Sequence, residues 1–498
     1  MQYFYTSTRN SKCSYSFSLS VLKGISDDGG LFVPKDLSKK NLPIQKLLTK
    51  SYIEIAYDVL HVFADDFSDQ ELVNCISSAY TETFETNEVV ELTPIDSSTL
   101  LELYHGPTSA FKDVALQLLP LFMPLCANKN DIHNEICILT ATSGDTGKAA
   151  LEGFKNKAGV QIFCYYPNQL VSKMQEKQML TTKGNNTHVY AVEGNFDDCQ
   201  RIVKEIFNDE PLNLELLKNK IQLSSANSIN IGRLCPQVVY YFYSYCKLVN
   251  SGVIKLNDKV NFVVPTGNFG NILAGYYAKC LGLPINKLIC ASNENNVLTE
   301  FIQTGHYNKK RDFHKTISPS MDILVSSNVE RYLFEVVNHN SDRVNELMNC
   351  LSATGEYKLD SEETKRLNDD FTSYYANDDE TKDTIRNIYN KYEKVIDPHT
   401  AVAMNCYEKY QHDTKDSTHT IILSTASPYK FAKDVVEAIL KKEVTSQEQA
   451  LLELSSLNKE SMPYNLEQLL HIDVQNPTIL KQKEVKSNLI NELEKKHE

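Results

Sequence analysis

In the stretch HGPTSAFKDVALQ, residues 105–117, a single lysine, Lys112, stands between a Gly-Pro break and an apolar run. A helix starting near Thr108 would carry it in the first or second turn. Free N–H groups and the macrodipole make that end of a helix positive, which suits anions rather than cations. A lysine placed there is either snorkelling along its own stem or needed for chemistry. Lysine chemistry of this kind needs a carbonyl partner, and pyridoxal phosphate, held as a Schiff base while its ring takes up electrons, is the one it points to. Local positive potential would also lower the amine's pKa and favour the neutral form that imine exchange requires.

Two further stretches suit anions. VVPTGNFGN, residues 263–271, reads as a strand end, two glycines three apart and a helix start. Gly267 and Gly270 would let backbone N–H groups approach a phosphate, with Asn268 and Asn271 as added donors. The stretch is neither Walker A nor the full G-x-G-x-x-G fingerprint, and a plain tight turn is its alternative reading. TATSGDTGKAA, residues 140–150, sets the hydroxyls of Thr142, Ser143 and Thr146 around Gly144 and Gly147. Hydroxyls and free amides at a helix start suit a carboxylate or phosphate, although Ser143 or Asp145 could serve only as the N-cap.

The elements that must position these residues follow from the wider pattern. The chain has 498 residues, 42% of them hydrophobic and 23% charged, as in ordinary globular proteins. A net charge of -13 argues against a nucleic-acid binder, which would need basic patches. No window is apolar for the ~18 residues a membrane helix needs, and no signal-peptide core stands at the N-terminus. Twelve cysteines without a C-x-x-C pair suggest a reduced, cytoplasmic chain with neither a disulfide scaffold nor a zinc site.

From residue 100 onward, short β-rich runs end in glycine or small polar residues and then open apolar helices. EICILT leads through ATSGDTG into KAALEGFKNK, and NFVVPTGNFGN leads into ILAGYYAKCLG. The repetition predicts parallel β-α units, an α/β fold whose ligands bind at the carboxyl ends of the strands. We expect residues 1–95 to form an N-terminal accessory domain, 96–440 two α/β subdomains with a helical insertion near 300–400, and 441–498 a helical tail.

HGPTSAFKD around Lys112, TSGDTG at 142–147, QEKQM at 175–179, SANSIN at 225–230 with Arg233, PTGNFGN at 265–271, DPHTAVA at 397–403 and LSTASPYKF at 423–431 together resemble threonine synthases of the fungal and bacterial branch. STR at 7–9 and DDGGLFVP resemble that family's N-terminal signature. The resemblance runs from residue 7 to 433 in the family's order. It implies a fold-type II, tryptophan synthase β-like enzyme that uses pyridoxal 5'-phosphate to turn O-phosphohomoserine and water into threonine and phosphate.

The same resemblance makes Lys112 the Schiff-base lysine, Gly267, Asn268, Phe269, Gly270 and Asn271 the cofactor-phosphate loop, and Thr425 the hydroxyl against the pyridine nitrogen. Thr142, Ser143 and Thr146 would hold the substrate carboxylate, with Asp145 more a cap than a ligand. Ser228, Asn230 and Arg233 are candidates for the substrate phosphate, with Lys173 a weaker one. His105 and His399 lie within matching motifs without a derivable role. The small-molecule substrate would be the partner, with no nucleic acid or membrane, on a monomer or homodimer. Four positions depart from the family pattern: Asn10 and Gln169 where glycine is usual, Lys173 in place of proline, and Ser427 in place of histidine. Two competitors remain, a phospho-lyase giving a 2-oxo acid and a non-catalytic relative.

Overall fold

A computed structural model describes residues 4–86, 88–142, 144–473 and 476–495. Tyr5–Ser7, Asn10–Tyr15 and Phe32–Pro34 make a small antiparallel sheet with Tyr5–Ser7 in the middle. Helices Tyr52–Phe63 and Asp69–Tyr80 each begin at a serine whose side chain caps N3 while the N3 glutamate reaches back, Ser51 with Glu54 and Ser68 with Glu71. Their buried residues recur at helical spacing, Ile55, Ala56, Val59, Leu60 and Phe63 on the first, so each lays one apolar stripe inward. The first of them packs on Ile231–Asn250, a 20-residue helix buried along nearly its whole length.

Two larger sheets carry the rest. One has five parallel strands in the order Ile479–Leu480, Thr187–Val192, Val160–Pro167, Glu135–Ala141, Ile221–Ser225. The other has six, in the order Phe371–Tyr375, Ile285–Ser292, Val260–Pro265, Thr420–Ser424, Ser98–Glu102, Glu91–Ile95, parallel except for the final hairpin. All eight residues of VQIFCYYP are buried, as a strand covered on both faces requires.

The region 300–400, expected to be helical, also supplies the edge strand Phe371–Tyr375 and the small antiparallel pair His306–Asn308 with Glu356–Lys358. The tail, expected to be helical as well, adds Ile479–Leu480 to the edge of the five-stranded sheet. It also sends Asn465 to the Lys112 loop, where its amide donates to the carbonyls of Pro107 (2.7 Å) and Gly106 (3.4 Å) and accepts from Ser109 Oγ (3.0 Å). Among the described residues no helix is long and apolar enough to cross a membrane.

Candidate active site

The carboxyl ends of strands from both sheets open on one cleft. Thr142 follows Glu135–Ala141, Asn227 and Ser228 follow Ile221–Ser225, residues 266–271 follow Val260–Pro265, and Thr425 follows Thr420–Ser424. Lys112, Thr146, Arg233, Ser320 and His399 also line it.

Lys112 arrives on a loop that is stitched in place. Asp113 accepts from Thr108 N (2.8 Å) and Thr108 Oγ1 (2.6 Å), and a Cβ on Gly106 would lie 2.5 Å from Asp113 Cβ, so only glycine fits there. Phe111 N donates to Thr425 O (2.8 Å) and Ser427 N to Ser109 O (3.1 Å), tying the loop to the end of Thr420–Ser424. The helix does not start near Thr108. Lys112 is instead the N-cap of a four-residue helix, Asp113–Leu116. Its amine is lowered to about 8, and the leading cause is burial rather than a helix terminus; Asp145 raises it, while Arg233 and Lys430 lower it further.

Asp145, expected mainly as a cap, is the hub of the site. As the first residue of helix Asp145–Phe154 it accepts from Lys112 Nζ (3.3 Å), Ser320 Oγ (3.1 Å) and Gln175 Nε2 (2.9 Å), and pairs with Lys430 Nζ (2.9 Å). Burial alone would push its carboxyl up, but Lys112 and Lys430 override that and hold it well below the usual carboxylate range. Gly144, at φ 134, makes room for Gln175, whose Cδ would be 2.4 Å from a Cβ there. Ser320 Oγ also lies 3.1 Å from Lys112 Nζ, and Ser320 N donates to His399 Nε2 (3.1 Å). The His399 ring turns Nδ1 to Asp397 Oδ2 (2.7 Å), so its partners assign the proton to Nδ1. Lys430, Gln175 and Ser320 were not foreseen, although Lys430 and Gln175 stand inside the matching motifs ASPYKF and QEKQM.

The loop 267–271 carries groups without protein partners. Asn268 Oδ1 and Asn271 Nδ2 are buried and make no hydrogen bond among the described residues. The Asn271 amide is oriented by Tyr240 OH, which donates to its Oδ1 (2.6 Å), and by Tyr241 OH, whose proton is shared between Asn271 O (2.9 Å) and Oδ1 (3.1 Å), which leaves its N–H groups free to donate. Phe269, N-cap of helix Gly270–Cys280, adopts the left-handed conformation at φ 59, a costly choice for a bulky residue that is typical of functional loops. Asn268 Oδ1 can only accept, but a buried lysine of lowered pKa beside a loop with the free N–H groups of Asn271 is a donor set that suits a cofactor bearing an aldehyde and a phosphate.

On the opposite side of the cleft, Thr142 Oγ1 accepts from Gly144 N (2.9 Å) and Gly147 N (2.8 Å), so its own proton is left to donate. Ser143 lies outside the described residues. Arg233 is 4% exposed, donates to Ala226 O (2.9 Å) and Thr146 Oγ1 (3.3 Å), and makes no ion pair among the described residues. Burial lowers its guanidinium to about 10. A buried cation of this kind favours an anion beside it.

Not every candidate reaches the cleft. Asn230 does not line it: its side chain donates to Val21 O (2.9 Å) and Ser225 O (3.0 Å) and accepts from Gly232 N (2.9 Å) as N-cap of Ile231–Asn250. Lys173 is exposed and pairs with Glu176 at 3.2 Å. His105 pairs with Glu102 (3.2 Å) away from the cleft. Gln169, standing where glycine is usual, has φ 62, the conformation that explains glycine's preference there. Asn10 begins an ordinary strand, and Ser427 is buried beneath the Lys112 loop.

Residues 4–80 match the family description "Threonine synthase N terminus", residues 99–349 "Pyridoxal-phosphate dependent enzyme", and residues 400–472 "Threonine synthase, C-terminal". The chain is 41% identical over 467 residues to the threonine synthase of Schizosaccharomyces pombe, covering 87% of this chain and 89% of that one. It is similar in structure to a PLP-bound threonine synthase from Brucella melitensis, with a TM-score of 0.83 at 35% identity and 96% of both chains covered. A yeast threonine synthase structure gives 0.85 at 34% identity over 99% of both.

Proposed function

The chain belongs to the threonine synthase family of pyridoxal-phosphate-dependent enzymes, and from that premise we propose that it converts O-phospho-L-homoserine and water to L-threonine and phosphate, acting in the cytoplasm as a monomer or homodimer. The observation that carries this reading is the pairing, in one cleft, of a loop suited to one phosphate with a separate buried arginine suited to a second. A cytoplasmic setting accords with twelve cysteines that are all unpaired.

Pyridoxal phosphate is the cofactor, and when bound it supplies an electron sink for negative charge developing next to the substrate amine. Lys112 would attach it, the loop Gly267, Asn268, Phe269, Gly270 and Asn271 would hold its phosphate, and Thr425 would meet its ring nitrogen. Lys112 takes the proton from the substrate's Cα and later returns one, which requires an amine that titrates near neutrality. Asp145 holds the ammonium form of Lys112 between those events, and Lys430 and Gln175 keep Asp145 in place when Lys112 turns away. Thr142 and Thr146 take the substrate carboxylate. Arg233 and Ser228 hold the departing phosphate, Arg233 through its planar fork.

Purified protein given O-phosphohomoserine should release threonine and phosphate in equal amounts. Release of 2-oxobutyrate in place of threonine would overturn the reading in favour of a phospho-lyase, and absence of both products would favour a non-catalytic relative.

A further inference from the structure

Behind the two anion sites lies a residue that touches both. Asn328 donates through Nδ2 to Ser228 Oγ (3.1 Å) and to Asn268 O (2.9 Å), and its backbone N–H donates to the same Asn268 carbonyl (3.2 Å). Its Oδ1 accepts from Arg331 Nη1. Both Asn328 and Arg331 are fully buried. Among the described residues Arg331 hydrogen-bonds only to uncharged acceptors, with Nε on Phe32 O (2.9 Å) and Nη2 on Ile229 O (2.5 Å). One guanidinium thereby grips the N-terminal segment, the carbonyl next to Ser228 and the amide of Asn328. That amide in turn joins Asn268 of the 267–271 loop to Ser228 of the SANSIN loop, 40 positions apart in the chain.

We propose that Asn328, fixed by Arg331, is a positioning residue that couples the cofactor-phosphate loop to the substrate-phosphate site. The chemistry is directional. Because the Ser228 oxygen is occupied as an acceptor by Asn328, its proton is left to donate into the cleft. An amide can do this for Ser228 and for the Asn268 carbonyl at once only while its oxygen faces a donor, and Arg331 supplies that donor. Binding of a phosphate at either loop therefore bears on the other through a single side chain. The substrate half of the inference rests on the proposed function, whereas the cofactor half does not.

The test is a cycle of N328A, S228A and the double variant, with two readouts. One is the dissociation constant of pyridoxal phosphate from apoenzyme, followed by absorbance. The other is KM for O-phosphohomoserine, with competition by inorganic phosphate measured in parallel. Loss of one hydrogen bond to a charged group corresponds to about tenfold in affinity. N328A should therefore weaken cofactor binding about tenfold and raise KM about tenfold, with kcat within about threefold of wild type. S228A should raise KM alone, and the double variant should be no worse than N328A within about twofold. KM effects that multiply to about a hundredfold, or a fall in Tm with KM and cofactor affinity unmoved, would overturn the proposal. Should N328A not fold, N328S takes its place, since its hydroxyl is too short to reach both partners. If the wild type fails to turn over O-phosphohomoserine, the functional reading falls, and the pyridoxal phosphate dissociation constants of wild type and N328A still decide the cofactor half of the inference.

Discussion

At the scale of single residues, the pKa of one amine decides how often the site is ready to act. With an ordinary lysine pKa of ~10.4, only about one amine in a thousand is neutral at pH 7.4. Burial, with Arg233 and Lys430 adding to it, brings Lys112 to about 8, and Asp145 limits the fall. A lowered pKa moves the appearance of the neutral form to lower pH. The rate at which apoenzyme takes up pyridoxal phosphate, followed by its visible absorbance, should therefore rise with pH through a midpoint near 8 and then level off. Asp145→Asn removes a raising influence, so the midpoint should move down. That variant also leaves Lys430 buried without its carboxylate, a loss of the class that costs about 3–5 kcal/mol, which thermal denaturation would register. Lys112→Ala should show neither the pH-dependent rise in visible absorbance nor turnover. A midpoint above 10 in the wild type would contradict the electrostatic account.

At the scale of elements, the cleft depends on loops that brace one another. In the sequence Gly267 reads as room for backbone N–H groups to approach a phosphate. The structure aims a Cβ at that position elsewhere, 2.5 Å from the carbonyl oxygen of Ser320, whose hydroxyl meets Lys112 and Asp145. Gly267→Ala should therefore displace the 318–321 loop, and overpacking of this kind costs about 1–3 kcal/mol, or roughly 5- to 150-fold in cofactor retention. Cofactor occupancy after dialysis checks this, and unchanged occupancy would mean that the Ser320 loop has slack. The sequence made the parallel strands legible because strands buried on both faces are continuous apolar runs, and it made the glycine loops legible because close approach leaves no room for side chains. Asp145 was harder to read. Its partners Gln175, Ser320 and Lys430 are distant in sequence, and no local pattern records a contact of that range. Asn230 misled for the opposite reason: it is a close neighbour of Ser228 in one motif, yet Ser228 lines the cleft while Asn230 caps the helix behind it. The strand Phe371–Tyr375 exposes only Tyr375 but stands between charged helices, so its alternation was hidden in the polar composition around it.

For the whole molecule, an acidic chain must bind two phosphates. A net charge of -13 repels dianions at long range, so attraction has to be local and shielded from water. The site achieves this by gathering Lys112 and Lys430 around a single bridging carboxylate, Asp145, with Arg233 close enough to lower the Lys112 pKa. Lys112 and Lys430 are both engaged by that carboxylate. Arg233 is not: it enters from the long helix Ile231–Asn250 and, among the described residues, donates only to Ala226 O and the Thr146 hydroxyl. It is therefore the cation with capacity left for a substrate dianion. Losing one charge-assisted partner of a phosphate costs about 1.5–3 kcal/mol, or roughly 10- to 150-fold in affinity. Arg233→Ala should raise KM for O-phosphohomoserine by that factor and weaken inhibition by phosphate-bearing analogues in parallel, while cofactor absorbance persists. Because Arg233 also lowers the Lys112 pKa, the midpoint for cofactor uptake should move up in the same variant. A variant that lost pyridoxal phosphate but kept its substrate affinity would show that Arg233 serves the cofactor and that the two anion sites are assigned the wrong way round.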